Sequence, residues 1–418
     1  MVAPMTAFAV GLCIWLGCDT AAAAPGAFDP QAATDAYLAT VSGAARERSD
    51  AYFEGGYWIQ LWDFLLGLAV YGALLRTRVS ARMRDIANRV TQSPTVHSFV
   101  YWAMYFALTT LLFFPWRAYT GFVREHQYGL ANQEFGAWLG ERAIGWTLGI
   151  LLGGLAIAVF YAVLRRVGER WWLYGTGLGL GFVILGMTAG PVFISPLFNE
   201  YTALEDGPVR TAVLDMARAN GIDATEVWMS DASKQSKRIS ANVSGMMGTE
   251  RITLNDNLLE RCSTAEVEAV MGHEIGHYVL NHVYEGVIFF GVVILAGFAF
   301  VARGFDRLVA RYGERWGVTG VADPAGLPLI ALLFSVFGFV LTPVTNSYIR
   351  ANEAEADLFG LNTARQPEGF AEVSLKLGEY RKLDPGPIEE LLFFDHPSGR
   401  SRIRMAMEWK AVYGSGRD

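Results

Sequence analysis

Glu268-Ala269-Val270-Met271-Gly272-His273-Glu274-Ile275-Gly276-His277-Tyr278-Val279 sets two histidines four residues apart, with a glutamate beside the first. Four residues is just over one helical turn. Both imidazoles therefore project from one helix face and can hold the same metal ion. Glu274 lies beside them, placed to take a proton from a metal-activated water. The pattern is H-E-x-x-H, and it points to zinc, a general base and a hydrolytic reaction in five residues. Ser263-Thr264-Ala265-Glu266 upstream reads as a capping box that starts the helix. Val267, Val270 and Met271 give that helix an apolar face. Two helix histidines without chemistry would look the same, so the reading needs a third ligand.

Arg350-Ala351-Asn352-Glu353-Ala354-Glu355-Ala356-Asp357 follows an apolar segment and reads as helix. Glu353 completes a two-His, one-Glu set and leaves a coordination position open. Glu355 is a rival for that place. Asp357 is one turn beyond Glu353, on the same face, where it can accept the outer N–H of a metal-bound histidine. A solvated acidic face is the alternative for the whole run.

The setting is a membrane. The chain has 418 residues, 52% of them apolar, and a mean hydropathy of +0.26, too hydrophobic for an ordinary soluble enzyme. Apolar blocks at 57–75, 97–115, 143–164, 171–193, 283–303 and 324–345 are each about long enough to cross a bilayer. Trp171-Trp172 and Tyr101-Trp102 mark block ends. Gly145, Gly149 and Gly153 recur every four residues and let helices approach. The expected fold is a mainly α integral membrane protein with about six transmembrane helices and a discontinuous α+β zincin-type catalytic domain. Residues 1–24 read as a signal peptide or an uncleaved hydrophobic anchor, and 25–56 as a polar linker. Residues 57–193 form a transmembrane domain of four spans. Residues 194–418 form the metallopeptidase domain, interrupted by spans 283–303 and 324–345. Within it Arg238–Val243 and Arg251–Leu254 read as short strands joined by a glycine-containing turn, either a support for the zinc helix or an edge that holds an extended peptide. Three cysteines give no disulfide framework and no competing metal cluster, and a net charge of −7 gives no reason to propose nucleic acid.

These motifs together resemble the CAAX prenyl protease 1 family of membrane zinc metalloproteases, which are gluzincins. The resemblance runs from about residue 57 to 410 and includes Phe122–Asn132, Ile194–Asn199, Ser236-Lys237-Arg238 and His396-Pro397-Ser398 through Arg402. H-E-x-x-H with a later R-x-x-E-x-x-A-D implies Glu353 rather than Glu355 as ligand, with Arg350 opening that motif. It implies one zinc per chain, His396 as oxyanion stabiliser and Arg402 as its aid or anchor. The family carries an asparagine in an N-A-F/Y-x-x-G segment. Here Ser240-Ala241-Asn242-Val243-Ser244-Gly245 puts Ser240 at that place and Asn242 two residues on, on the same face of a strand. Either can polarise the scissile carbonyl.

Function follows as an expectation: a membrane-embedded zinc metalloendopeptidase acting on peptide or protein substrates, lipid-modified ones included. The resemblance implies CAAX-box processing. The rival substrates are misfolded or lipid-linked proteins in a bacterial membrane. A non-enzymatic protein with structural zinc is opposed by Glu274, since a structural site needs no base. A non-peptide hydrolase remains a third reading. Orientation comes from arginine. The connections 76–96, 164–171 and 303–323 carry Arg76, Arg78, Arg82, Arg84, Arg89, Arg165, Arg166, Arg170, Arg303, Arg307, Arg311 and Arg315. Alternation places all three on one side. The positive-inside rule then puts the zinc site outside the cytoplasm, whereas the family resemblance implies a cytosolic site.

Overall fold

The computed structural model describes residues 28–244 and 251–414. The segment 1–24 and the glycine-containing turn after Ser244 lie outside the described residues. The expected linker at 25–56 is corrected by the structure. Asp29 caps a helix, α1 (Pro30–Thr40), accepting from the N–H groups of Gln31 and Ala32. A second helix, α2, spans Ala44–Arg76, so it begins well before the apolar block at 57. The cause is tertiary. Leu38, with Ala33, Tyr37 and Val41 around it, packs against Ile403, Met407 and Trp409 near the carboxyl terminus. A segment with few apolar residues folds because a distant helix supplies the other half of its core.

The chain continues through α3 (Val79–Val90), α4 (Pro94–Ala118), α5 (Phe135–Val167) and α6 (Trp171–Ala189). Five helical runs among the described residues are long and apolar enough to cross a membrane. One of them, Phe135–Leu197, has 63 residues, about twice or more what a single span needs. It breaks at Gly168, whose φ of 56° ends α5, and so holds both blocks expected at 143–164 and 171–193. Gly149 and Gly153 face Phe106 and Trp102 of α4, and a Cβ on Gly153 would come within 2.9 Å of the Trp102 ring. Gly145 meets nothing. Large apolar side chains such as Leu155, Ile288, Val292 and Val340 stay exposed, as a lipid-facing surface requires.

The catalytic half opens with β1 (Tyr201–Ala203), α7 (Pro208–Ala219), β2 (Val227–Ser230), β3 (Ala241–Ser244) and β4 (Arg251–Asn255). The sheet order is β1-β2-β4-β3, which leaves β3 at an edge. β2 and β4 are parallel, and β3 and β4 antiparallel, with Ala241 opposite Leu254. The strand expected from Arg238 is shorter, starting only at Ala241. The upstream carbonyl of Arg238 accepts from the Asn255 and Asn257 side chains instead of a neighbouring strand. Next come α8 (Asp256–Arg261), α9 (Thr264–Val279), α10 (His282–Trp316), α11 (Leu327–Ala364), α12 (Pro367–Leu377), α13 (Pro387–Phe393) and α14 (Gly399–Tyr413). Val213, Ile252, Leu254, Met271 and Ile275 form the core between the sheet, α7 and α9.

At the opposite end the three arginine-rich connections meet. Arg78 Nε donates to the Arg315 carbonyl at 3.0 Å, and Arg84 Nη1 to Asp323 Oδ2 at 2.7 Å. Arg165 lines one cavity with Arg84, Asn88 and Thr319, and its Nη1 donates to Ser98 Oγ of α4 at 3.2 Å.

α9 and α11 touch backbone to backbone. A Cβ on Gly360 would come within 2.7 Å of the His273 nitrogen, and one on Gly272 within 2.9 Å of the Gly360 carbonyl oxygen. Gly360→Ala is therefore expected to destabilise the protein by about 1–3 kcal/mol through overpacking, visible as a lower melting temperature in detergent. Gly338→Ala, in the same helix with nothing within 4 Å, is the control and should be neutral or stabilising by up to about 1 kcal/mol. A Gly360→Ala protein melting no lower than the parent would show that the crossing has room.

Candidate metal centre

α9 starts at the capping box. Ser263 accepts from the Glu266 N–H, and the Glu266 carboxylate accepts in return from the Ser263 N–H at 2.6 Å. Lys376 reaches from α12 to the same carboxylate at 2.7 Å. The helix then carries His273, Glu274 and His277 to the crossing with α11. The long reach of α11 brings Glu353 and Asp357 to meet them.

His273 Nε2 and His277 Nε2 are 3.1 Å apart, with Glu353 Oε2 3.3 Å from the first and Oε1 3.3 Å from the second. The three residues each offer a ligand atom within 4.8 Å of the others. Glu353 Oε2 is buried and makes no hydrogen bond among the described residues. Lone-pair donors crowd together in this way around a shared cation. A tetrahedral ion with bonds of about 2.0–2.1 Å spaces its ligands by about 3.3 Å. The residues therefore fit a metal. Glu355, the rival in sequence, is 58% exposed at its side chain and faces His282, 3.6 Å from Nε2. It is not in this group.

The outer nitrogens of both histidines are occupied. His273 Nδ1 lies 2.7 Å from Asp357 Oδ1. A carboxylate can only accept, so Nδ1 carries the proton and Nε2 is left bare for a metal. Arg402 holds Asp357 with two bonds, Nε to Oδ2 at 2.9 Å and Nη2 to Oδ1. Asp357 is fully buried and is matched by this guanidinium. Burial works against a charged His273, but the carboxylates of Asp357 and Glu353 favour the protonated ring more strongly and raise the imidazole to about 9, so a metal on Nε2 would displace a proton there. His277 Nδ1 lies 2.9 Å from His282 Nδ1.

Glu274 lines the same cavity of about 260 Å³ as the three ligand candidates, along with His396, Arg381, Arg402, Tyr380, Ser240 and Ala241. Burial pushes its carboxyl above the ordinary range, with His273 and His277 pulling the other way. His396 enters from the loop after α13. Its Nε2 is 3.3 Å from Glu353 Oε2 and its Nδ1 is 2.8 Å from Asp395 Oδ1. Arg381 Nη2 lies 3.4 Å from His396 Nε2. Arg350 does not reach the ligands. Its guanidinium donates to the carbonyls of Glu390 and Phe394, which ties the His396 loop to α11.

Ser240 and Asn242 are separated by the fold. Ser240 lines the cavity just before edge strand β3. Asn242 is exposed, pairs opposite Thr253, and is not in the cavity wall. The structure also brings in His282, Arg381 and Asp395, which the motifs do not single out. Asp395 is legible as a neighbour of His396. Asn281-His282 is legible as a helix breaker followed by a residue of ligand type. Nothing in Tyr380-Arg381-Lys382 marks it.

Two family models match in tandem. Residues 31–200 match the CAAX prenyl protease N-terminal family, five membrane helices, and residues 203–410 match peptidase family M48. The uncharacterized metalloprotease YhfN of Bacillus subtilis is 30% identical over 301 residues, 72% of this chain and 70% of that one. CAAX prenyl protease 1 of Saccharomyces cerevisiae is 27% identical over 328 residues, 74% and 72% of the two chains. The crystal structure of S. mikatae Ste24p superposes with a TM-score of 0.76 at 20% identity, over 90% of this chain and 95% of that one, and so has the same fold. From these matches and the helical runs that carry the site, the chain belongs to peptidase family M48 and is a membrane metalloprotease, of a family that uses a metal, typically zinc.

Proposed function

We propose a zinc endopeptidase that holds one zinc per chain through His273, His277 and Glu353 and cuts peptides lying along strand β3. The observation that carries it is the joint presence of a bare three-donor set and a ligand-free carboxylate, Glu274, on one cavity. Bound zinc supplies a Lewis acid and brings the pKa of its water to about 7. Glu274 takes the proton from the attacking water and passes it to the leaving amine. Its raised pKa, from burial, suits a group that must both accept and return a proton. His396, steadied by Asp395, faces the carbonyl oxygen as it gains charge. Ser240, rather than Asn242, is the side chain at hand beside that carbonyl. β3 offers an unpaired edge to the substrate backbone.

The substrate class we favour is a peptide joined to a lipid or membrane anchor. A second chamber of about 970 Å³ is walled by Trp102, Phe106, Phe114, Trp138 and Trp146, and reaches Ser236 and Arg238. Those two residues lie just before the Ile239–Ala241 wall of the metal cavity. An aromatic chamber beside a cutting site suits an acyl or prenyl chain whose peptide is in the cleft. CAAX prenyl protease 1 of yeast is a relative whose name fits that chemistry. The meeting of the three arginine-rich connections at the end away from the site supports a site outside the cytoplasm. On that side the substrates are anchored or misfolded proteins of the host membrane.

Metal analysis of the purified protein is expected to give about one zinc per chain. Glu353→Ala should lose it and Glu355→Ala should keep it; the reverse result would exchange the two assignments.

Glu274→Gln should fold and hold zinc, yet lose peptidase activity by several orders of magnitude. His396→Ala should keep zinc and lower kcat by about a hundredfold to a thousandfold, with little change in KM. Near-normal turnover by the glutamine variant would sink the mechanism, and an effect of His396→Ala confined to KM would make His396 a binding residue.

Cysteines placed singly in a cysteine-free background report the orientation. Asp206→Cys, in a side chain 97% exposed beside the sheet, should react with a membrane-impermeant thiol reagent in intact cells. Asn88→Cys, exposed at the arginine end, should react only in opened cells. The opposite labelling pattern would place the site in the cytoplasm.

A further inference from the structure

The two candidate ligand histidines are held differently. His273 has an acidic partner of the usual kind for a metal-bound imidazole, Asp357. His277 has none. Its outer nitrogen faces a third histidine, His282, at Nδ1 to Nδ1 2.9 Å, with the rings inclined at 70°. In an unbroken helix, residues five apart point about 140° away from each other. His282 meets His277 only because the helix stops between them. Asn281 takes the left-handed conformation, φ 61° and ψ 29°, and begins α10 in a new direction. Asparagine is among the few residues that adopt this conformation at small cost.

We infer that His282 is a positioning residue for the metal centre, which fixes the tautomer and ring angle of His277 by accepting its Nδ1 proton. The chemistry leaves one arrangement. His277 can offer Nε2 to a metal only when its proton is on Nδ1. That proton has one acceptor within reach, His282 Nδ1, which must therefore be bare. His282 then carries its own proton on Nε2. That atom is buried and makes no hydrogen bond among the described residues. Glu355 Oε2 stands 3.6 Å away on a side chain that is 58% exposed and free to turn. His282, with Glu355 near its far nitrogen, thus stands behind His277 as Asp357, held by Arg402, stands behind His273. It gives Glu355 a role that its sequence position, two residues from Glu353, concealed. His282 is 5% exposed at its side chain, which fixes its ring and so fixes the ring it supports.

The inference rests on His277 being a ligand, and zinc loss in His277→Ala tests that separately. The measurement is zinc affinity of the full-length protein in detergent, by competition with a chelating dye, not turnover. An asparagine places its amide oxygen near the Nδ1 position of histidine. A glutamine reaches instead toward the Nε2 position, and a phenylalanine keeps the ring volume without an acceptor. His282→Asn is expected to bind zinc within about threefold of the parent. His282→Gln and His282→Phe should bind about 10–100-fold more weakly, the usual loss for an outer partner. The asparagine–glutamine contrast stands if the phenylalanine variant does not fold. Equal affinity in all three variants and the parent would overturn the inference, because His277 would then need no support. An asparagine variant as weak as the glutamine one would also overturn it, by showing that ring packing and not the accepted proton matters.

Discussion

The whole site depends on how closely α9 and α11 cross. Gly272 and Gly276 of one helix lie against the backbone of Gly360 and Ala356 of the other, with only the Cβ atoms of Ala364 and Phe359 as close beside them. Helices normally pack about 8–10 Å apart, set by the side chains at the contact. Glycine at the contact removes that spacer, and here the missing bulk lets Glu353 reach two imidazoles on the neighbouring helix. The residues that bear chemistry lie next to the residues that bear none: His273 follows Gly272, and His277 follows Gly276. The crossing also buries Asp357 completely, which makes a paired cation obligatory. Arg402 of α14 supplies it, and α14 is in turn packed by Phe370 and by Leu38 of α1. A contact between two helices thus recruits both ends of the chain.

Much of this is legible in the order of the amino acids, and the reasons are physical. A four-residue spacing on a helix has one geometric meaning, so His273, His277 and Glu274 declare themselves at once. Long apolar runs have few stable uses outside a membrane, so the spanning segments are legible within a few residues. Residues 30–56 are not. α1 depends on packing against α14, and the start of α2 on bonds to Gly378, Asp384 and Glu125, and local composition carries no trace of those distant partners. Arg350 belongs to a recognisable motif, yet its bonds go to the carbonyls of Glu390 and Phe394. Its task is to hold the loop that presents His396, and only the fold shows where that loop lies. Ser240 and Asn242 share a strand face in principle. The strand begins between them, so only Ser240 is left facing the cavity.

The membrane helices are part of the catalytic architecture. α10 and α11 have 35 and 38 residues, lengths of more than about 50 Å at the usual rise per residue. A bilayer core takes up about 30 Å. In α11 the remainder projects past the bilayer as helix and carries Glu353 and Asp357 to the site on a rigid extension, while His282 starts α10 at the near end of its span. A loop could deliver the same residues with far more freedom, and a centre held to a few tenths of an ångström gains from having little. This arrangement also sets the cutting chemistry close to the membrane surface, within reach of a peptide tethered there.

Charge balance explains why the two histidines are supported by unlike partners. Each carboxylate brought next to a divalent cation weakens its pull on the substrate carbonyl and on water. In the proposed zinc enzyme Glu353 would contribute one negative charge as a ligand, and Glu274 would stand ready as another. Asp357 would be a third, but Arg402 offsets it through two bonds. A second buried Asp behind His277 would need a second buried Arg, and Arg381, the other arginine of the cavity, is half-buried and faces His396 instead. A neutral histidine avoids that need. It accepts one proton, donates another toward the exposed Glu355, and adds no net charge to the interior. The centre can then keep most of the metal's charge for the bond to be cut, while both ligand rings stay fixed.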